Sequence, residues 1–319
     1  MMKLVDCVIV GGSYGGLSAA LCLGRCLRQA VVIDEGLPCN RFTPHSQNFL
    51  TRDGFAPAEI ASIGKQQIIE KYKTVEFQKD RVVSIQNRGT ASGADNTDNS
   101  EMYPFQVQTA SGKTLESKTL LFATGVTDVF PKDIPGFEEC WGTTVIHCPY
   151  CHGYEFHSEP TAMFMDKERA MHMLPLVRNL TPNVKLISSD TFEEEELALL
   201  KKNGVQVMTS PIQEIQHEIG HITTVMFKDG TSLPVKAMYA GIPFDINAKN
   251  ILVEELGCEL DEHGFVKVDG MQMTNVDGVY AVGDATTMFR TVANAVNGGN
   301  KAGAVINVGL CNQEFAARI

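Results

Sequence analysis

The chain has 319 residues, 44% hydrophobic and 20% charged, with a net charge of −11. This composition builds packed cores and excludes a disordered chain, and the length suits about two domains of roughly 150 residues. The acidic balance without a basic face argues against nucleic acid, and no apolar run approaches the ~20 residues that span a bilayer.

A first strand is predicted over Asp6 to Val10. The turn Gly11-Gly12-Ser13-Tyr14-Gly15-Gly16 follows, then a helix from Tyr14 to Leu27 with Leu17, Ala20, Leu21 and Leu27 on one face. A strand at Ala30 to Asp34 completes a strand–helix–strand unit. Strands at Val82 to Ile85 and Phe105 to Gln108 flank a polar loop, Asn87 to Ser100. Leu120 to Thr124 is another strand, running into Gly125.

A second unit starts after Pro131 and Pro135. It carries Cys148-Pro149-Tyr150-Cys151, a strand at Thr161 to Met165, a helix at Lys167 to Asn179 and a strand at Val184 to Ile187. Asp190-Thr191 can cap a helix whose first turn is the acidic run Glu193 to Glu196, a reading preferred to an interaction tail. Further strands are expected at Val205 to Met208, Thr223 to Phe227 and Ala237 to Ala240. The chain then returns to the first pattern, with an apolar strand ending in Gly283-Asp284 and a helix through Thr291 to Val308. The expected fold is therefore α/β: two Rossmann-like dinucleotide-binding domains, residues 1–126 with 246–319, and 127–245 inserted between them.

The Gly11 to Gly16 turn is a G-x-G-x-x-G pattern with Ser13 in the middle glycine position. Its glycines allow a tight turn, and the helix N-terminus that follows attracts a pyrophosphate. Asp34, at the end of the next strand, can accept ribose hydroxyls. Gly283-Asp284 follows the apolar strand Val279 to Val282, where FAD proteins carry an Asp that receives ribitol hydroxyls; the alternative is a plain strand-end turn.

The CxxC admits four readings. Zinc needs a second Cys or His pair at matched spacing, which the sequence lacks, so no metal is expected. Cys148 to His152 spells the C-x-x-C-H of haem attachment, but that needs export, and the N-terminal segment has no signal-peptide character. Two inert packed thiols are one alternative. A redox dithiol near a helix start, with one thiol of lowered pKa, is the other. The nine cysteines form an odd, scattered set, unlike a secreted framework, so a cytoplasmic location is expected. His147 and His152 flank the pair; His152 is the stronger candidate for moving a thiol proton, and His147 equally suits shaping the turn.

These residues resemble the low-molecular-weight thioredoxin reductase family over essentially the whole chain. They are Gly11 to Gly16, Asp34, Ala123-Thr124-Gly125, Cys148-Pro149-Tyr150-Cys151 and Gly283-Asp284. The stretches His147 to Glu155, Gly11 to Tyr14 and Asn40-Arg41-Phe42 look like a branch that includes dithiol oxidases of small natural products. The resemblance implies FAD and a homodimer. It implies catalysis by Cys148, Cys151 and His152, with Cys151 facing the flavin and Cys148 exchanging with substrate. The family's acid/base Asp after the second Cys is here His152. Cofactor contacts are implied at Gly11, Gly12, Ser13, Tyr14, Gly15, Gly16, Asp34, Glu35, Asn40, Arg41, Thr124, Gly125, Gly283, Asp284, Arg290, Thr291 and Val292.

One departure stands out. Where the family has a second glycine turn for NADPH, this chain has Asp166-Lys167-Glu168-Arg169-Ala170, and the next strand ends in Ser188-Ser189-Asp190 without arginine. Ordinary NADPH binding is expected to be lost. The expected function is an FAD-dependent thiol–disulfide oxidoreductase, with a thioredoxin-like protein disulfide or a small dithiol as partner. Ferredoxin or a second flavin stands as donor. The alternatives are a dithiol oxidase passing electrons to oxygen and a non-catalytic redox sensor.

Overall fold

The computed structural model describes residues 3–89 and 102–317, so most of the loop expected over Asn87 to Ser100 lies outside the described residues. Strand β1 (Lys3–Val10) leads into helix α1 (Tyr14–Arg25) and β2 (Ala30–Asp34). Helix α2 (Pro57–Lys71), β3 (Val75–Lys79), β4 (Val82–Asn87), β5 (Phe105–Thr109), β6 (Thr114–Phe122) and β7 (Val126–Asp128) follow. Next come α3 (Phe137–Cys140), β8 (Val145–Ile146), α4 (Pro149–His152), β9 (Thr161–Phe164), α5 (Lys167–Leu180), β10 (Val184–Ile187) and α6 (Glu194–Lys202). The chain continues through β11 (Gln206–Met208), β12 (Ile212–Glu218), β13 (His221–Phe227), β14 (Ser232–Pro234), β15 (Ala237–Ala240) and β16 (Phe244–Ile246). It closes with β17 (Val279–Ala281) and α7 (Val292–Ala316). Among the described residues no helix is long and apolar enough to cross a membrane.

The fold is two Rossmann-like α/β units, the second inserted in the first. The first spans Met1–Cys39, Ala58–Thr127 and Asp245–Ile319. Its parallel strands lie in the order β3-β2-β1-β6, and β6 divides its pairing. Thr114 to Ser117 pair antiparallel with β5, whereas Leu120 to Phe122 pair parallel with β17. Helix α1 buries Leu17, Ala19, Ala20 and Leu23 against this sheet's core. It packs closely on α7 because α7 offers glycine: a Cβ at Gly299 would meet the Gly15 carbonyl oxygen at 2.0 Å. The helix stops at Arg25, before the expected Leu27. Leu27 has φ +59° and is exposed, so the left-handed turn takes it off the apolar face.

The second unit spans Asn40–Pro57 and Asp128–Phe244. Its five-stranded sheet runs β11-β10-β9-β15-β8, every pair parallel, beside a separate antiparallel sheet β12-β13-β14. The sequence reading puts residues 40–57 in the first domain; here they group with the second. Aromatic packing explains the difference. Phe42 stands edge-on to Phe130 at 5.5 Å, and Phe130 packs on Trp141 at 5.6 Å. The helix cap near Asp190 also differs. Glu193 is the N-cap of α6, in a reciprocal capping box with Glu196, and Asp190 turns elsewhere.

Candidate functional site

The first unit holds a cleft of about 540 Å³ at the carboxyl ends of β1, β2 and β6. Strand order reverses between β1 and β6, the switch point where α/β sheets bind ligands. The glycine turn forms one wall. Gly11 has φ +102°, and a Cβ there would lie 2.3 Å from the Ala123 carbonyl oxygen, so no other residue fits. A Cβ at Gly16 would sit 1.9 Å from the Gly11 oxygen, which brings α1 tight against the turn. Asp34 holds the turn from the neighbouring strand: Gly12 N–H donates to one carboxylate oxygen, and Gly36 N–H to the other at 2.6 Å.

Of the implied cofactor residues, Gly11, Ser13, Asp34, Glu35 and Thr124 line this cleft. Thr124 Oγ1 is buried with no hydrogen-bond partner among the described residues, an orphaned group that a bound cofactor would satisfy. Asp80 to Val83 and Asn247, Ala248, Asn250 and Ile251 line it too. Sequence reasoning missed both segments. Asn250 and Ile251 belong to a π-helical segment, Asn250–Glu255, a conformation frequent at functional sites. A narrow glycine-walled cleft with an acid at the second strand fits a dinucleotide.

Gly283 has φ +75° and opens a short 3-10 turn that carries Asp284. Arg290 Nε lies 3.5 Å from the Asp284 carboxylate and donates from its Nη2 to Cys39 Sγ at 2.9 Å. Thr291 caps α7 by accepting from Asn294 N–H at 3.1 Å, and Val292 is the first helical residue. Asn40 and Arg41 group with the second unit and do not line the cleft; the Arg41 guanidinium covers the Phe42 ring at 4.2 Å.

The second unit carries the CxxC. Cys148 and Cys151 form a disulfide, with Cα atoms 5.3 Å apart. Cys148 is the N-cap of the short helix α4, Pro149 starts that helix, and both cysteines are partly exposed. His152 ends α4. Its Nε2 lies 2.7 Å from Thr43 Oγ1, and its Nδ1 is buried without a partner. Burial lowers the His152 pKa below the usual histidine value, while the Glu155 charge opposes it. His147 is exposed and stacks on Trp141 at 5.8 Å, a place suited to shaping the turn.

The second unit's own Rossmann helix is closed at its N-terminus. Asp166 caps α5 by accepting from Arg169 N–H at 2.9 Å. Asp190, just beyond β10, accepts from Lys167 N–H at 2.6 Å. Two carboxylates hold the backbone donors that would cradle a phosphate.

A family model described as pyridine nucleotide-disulphide oxidoreductase matches residues 5–171 and 179–299. Thioredoxin reductase tcpT of Claviceps purpurea is 29% identical over 318 residues, covering 97% of this chain and 95% of its own. The thioredoxin reductase of Helicobacter pylori is 26% identical over 326 residues, covering 95% of this chain and 98% of its own. The crystal structure of an oxidoreductase from Agrobacterium tumefaciens superposes with a TM-score of 0.85 at 32% identity, covering 97% of this chain and 99% of that one. With matches running through both units, this chain belongs to the pyridine nucleotide-disulphide oxidoreductase family, as a thioredoxin reductase-like flavoprotein and thiol–disulfide oxidoreductase.

Proposed function

We propose that this enzyme binds FAD in the cleft of the first unit and passes electrons between it and the Cys148–Cys151 pair without ordinary use of NADPH. Bound FAD supplies two-electron exchange with a disulfide. The chain's residues do the rest. Gly11 and Gly16 let backbone approach the pyrophosphate, Asp34 and Glu35 stand at the ribose, and Cys148 exchanges with a substrate disulfide, with Cys151 facing the flavin.

The observation that carries the loss of NADPH is the doubly capped start of α5. A nucleotide phosphate would have to displace Asp166 and Asp190 from Arg169 N–H and Lys167 N–H, and it would meet two like charges there. Electrons then come from ferredoxin or a second flavin and leave to a thioredoxin-like protein, the partner that the relatives' names suggest. The partial exposure of both cysteines also favours a second reading, in which a small dithiol enters directly and oxygen takes the electrons. A cytoplasmic homodimer completes the proposal.

The test is anaerobic reduction of the purified protein by NADPH, NADH, a dithiol and reduced ferredoxin in parallel, followed at the flavin absorbance. Fast bleaching by micromolar NADPH overturns the proposal. Bleaching by dithiol or ferredoxin alone supports it and separates its two directions.

A further inference from the structure

The contacts around His152 favour one tautomer. Cys148, the N-cap of α4, accepts the His152 backbone N–H through its carbonyl at 3.2 Å, which sets His152 one turn after it. Thr43 comes from the distant Asn40–Pro57 segment of the same unit. Its hydroxyl lies 3.1 Å from the His45 carbonyl oxygen, to which it can donate its hydrogen. With that hydrogen on the His45 carbonyl, the Thr43 oxygen accepts from His152 Nε2, 2.7 Å away, and Nε2 then carries the ring hydrogen. Nδ1 is buried and has no partner among the described residues. The remaining lone pair is on Nδ1. A buried acceptor left without a donor is costly. Reduction of the disulfide creates a donor one turn earlier in the chain, the Cys148 thiol.

We propose that Thr43 is a positioning residue that locks His152 in its Nε2–H form, so that Nδ1 takes and returns the Cys148 thiol proton during exchange with substrate. The inference rests on the reading of Cys148–Cys151 as the exchanging dithiol. In the reducing direction the Cys148 S–H bond breaks and an Nδ1–H bond forms. The Cys148 thiolate attacks one sulfur of the substrate disulfide. That S–S bond breaks, a mixed disulfide forms, and the departing sulfur takes the proton from Nδ1. Cys151 then attacks Cys148, the enzyme disulfide closes, and the second substrate thiol leaves with the Cys151 proton. Two electrons have moved from enzyme to substrate, and the reverse sequence oxidises a dithiol. Besides the thiols, the titratable groups acting on this ring are Glu155 and His45.

Long-range ¹H–¹⁵N correlation on histidine-labelled full-length oxidised protein, with His152→Gln to assign the signal, reads the tautomer directly. The expected result is a neutral ring protonated at Nε2 in wild type and in Thr43→Ser, and a shift toward Nδ1–H in Thr43→Val. Stopped-flow exchange with dithiothreitol should slow by about tenfold in Thr43→Val and stay within about twofold in Thr43→Ser. An Nδ1–H ring in the wild type overturns the inference even if the valine variant fails to fold. So does a valine variant with the wild-type tautomer and rate, or a serine variant that shares the valine defect. Cys148→Ser separates the two levels: if it still exchanges, the dithiol reading itself is wrong, whatever the tautomer.

Discussion

The Asp190 carboxylate hydrogen-bonds the backbone N–H of Lys167 at 2.6 Å, so the loop after β10 seals the start of α5, the helix that follows the neighbouring parallel strand β9. Asp166 seals the same turn from its own N-cap. Asp190→Ala alone should not restore NADPH use, because Asp166 and the side chains of Lys167 to Ala170 remain. Flavin reduction at micromolar NADPH should stay slow in both proteins. Asp166→Ala should cost about 1 kcal/mol of stability, the usual loss for an N-cap, measured by urea unfolding.

Gly11→Ala should remove the flavin. The new Cβ would collide with the Ala123 carbonyl at 2.3 Å, in a backbone conformation that disfavours any side chain. Destabilisation of about 1–3 kcal/mol is expected, with a colourless protein after purification. A yellow variant of wild-type melting temperature would remove the glycine turn from the cofactor site.

The two cysteines should give different spectra when replaced singly. On the proposed roles, Cys148→Ser should leave a Cys151 thiolate that gives a long-wavelength charge-transfer band with the flavin. Cys151→Ser should not. Matching spectra would reverse or cancel the division of roles.

His152 should set the acid limb of exchange. Burial lowers its pKa, so its neutral, proton-accepting form persists below the usual histidine range. The limb of the exchange rate should therefore fall at lower pH than for a free histidine. Glu155→Gln removes the charge that raises this pKa and should move the limb lower still. Stability follows the same sign: between the depressed folded value and the unfolded one, the unfolded chain binds more protons, so this contribution diminishes as pH falls through that window. A limb that moves upward in Glu155→Gln would show that another group controls it.

Asn247 should control motion at the crossings between units. Its side chain accepts from Thr127 Oγ1 at 2.7 Å and donates to the Thr124 carbonyl at 2.9 Å, beside Gly125 with φ +64°. Glycine in that conformation can absorb backbone change. Covalent cross-linking of the two units is expected to abolish turnover with a protein disulfide and spare a small dithiol. Full-rate reduction of thioredoxin by locked enzyme would end the proposal.

The alternation of glycine turn, helix and acid made the first unit legible, since each residue there answers a local steric demand. Ala30 to Asp34 and Val184 to Ile187 are strands with the bounds the pattern predicts, because apolar runs bounded by turns leave little choice. Helix α2 escaped because its apolar stripe is thin: Ile60 and Ile68 are buried, but Ile69 is exposed. Thr43 and Asn247 carry no motif at all. The roles proposed for them rest on contacts with residues more than a hundred positions away, which no local pattern encodes.

The divided pairing of β6 has a consequence for assembly on the ribosome. Its Leu120 to Phe122 half waits for β17, and the cleft waits for Asn247 to Ile251, and both are synthesised after the inserted unit. The inserted sheet, by contrast, finds all its strands between Val145 and Ala240 and can close first. The nascent chain thus carries an open, apolar strand edge and a half-built cleft until the insert has emerged, so a cofactor bound there as proposed would be captured late in the life of the newborn protein.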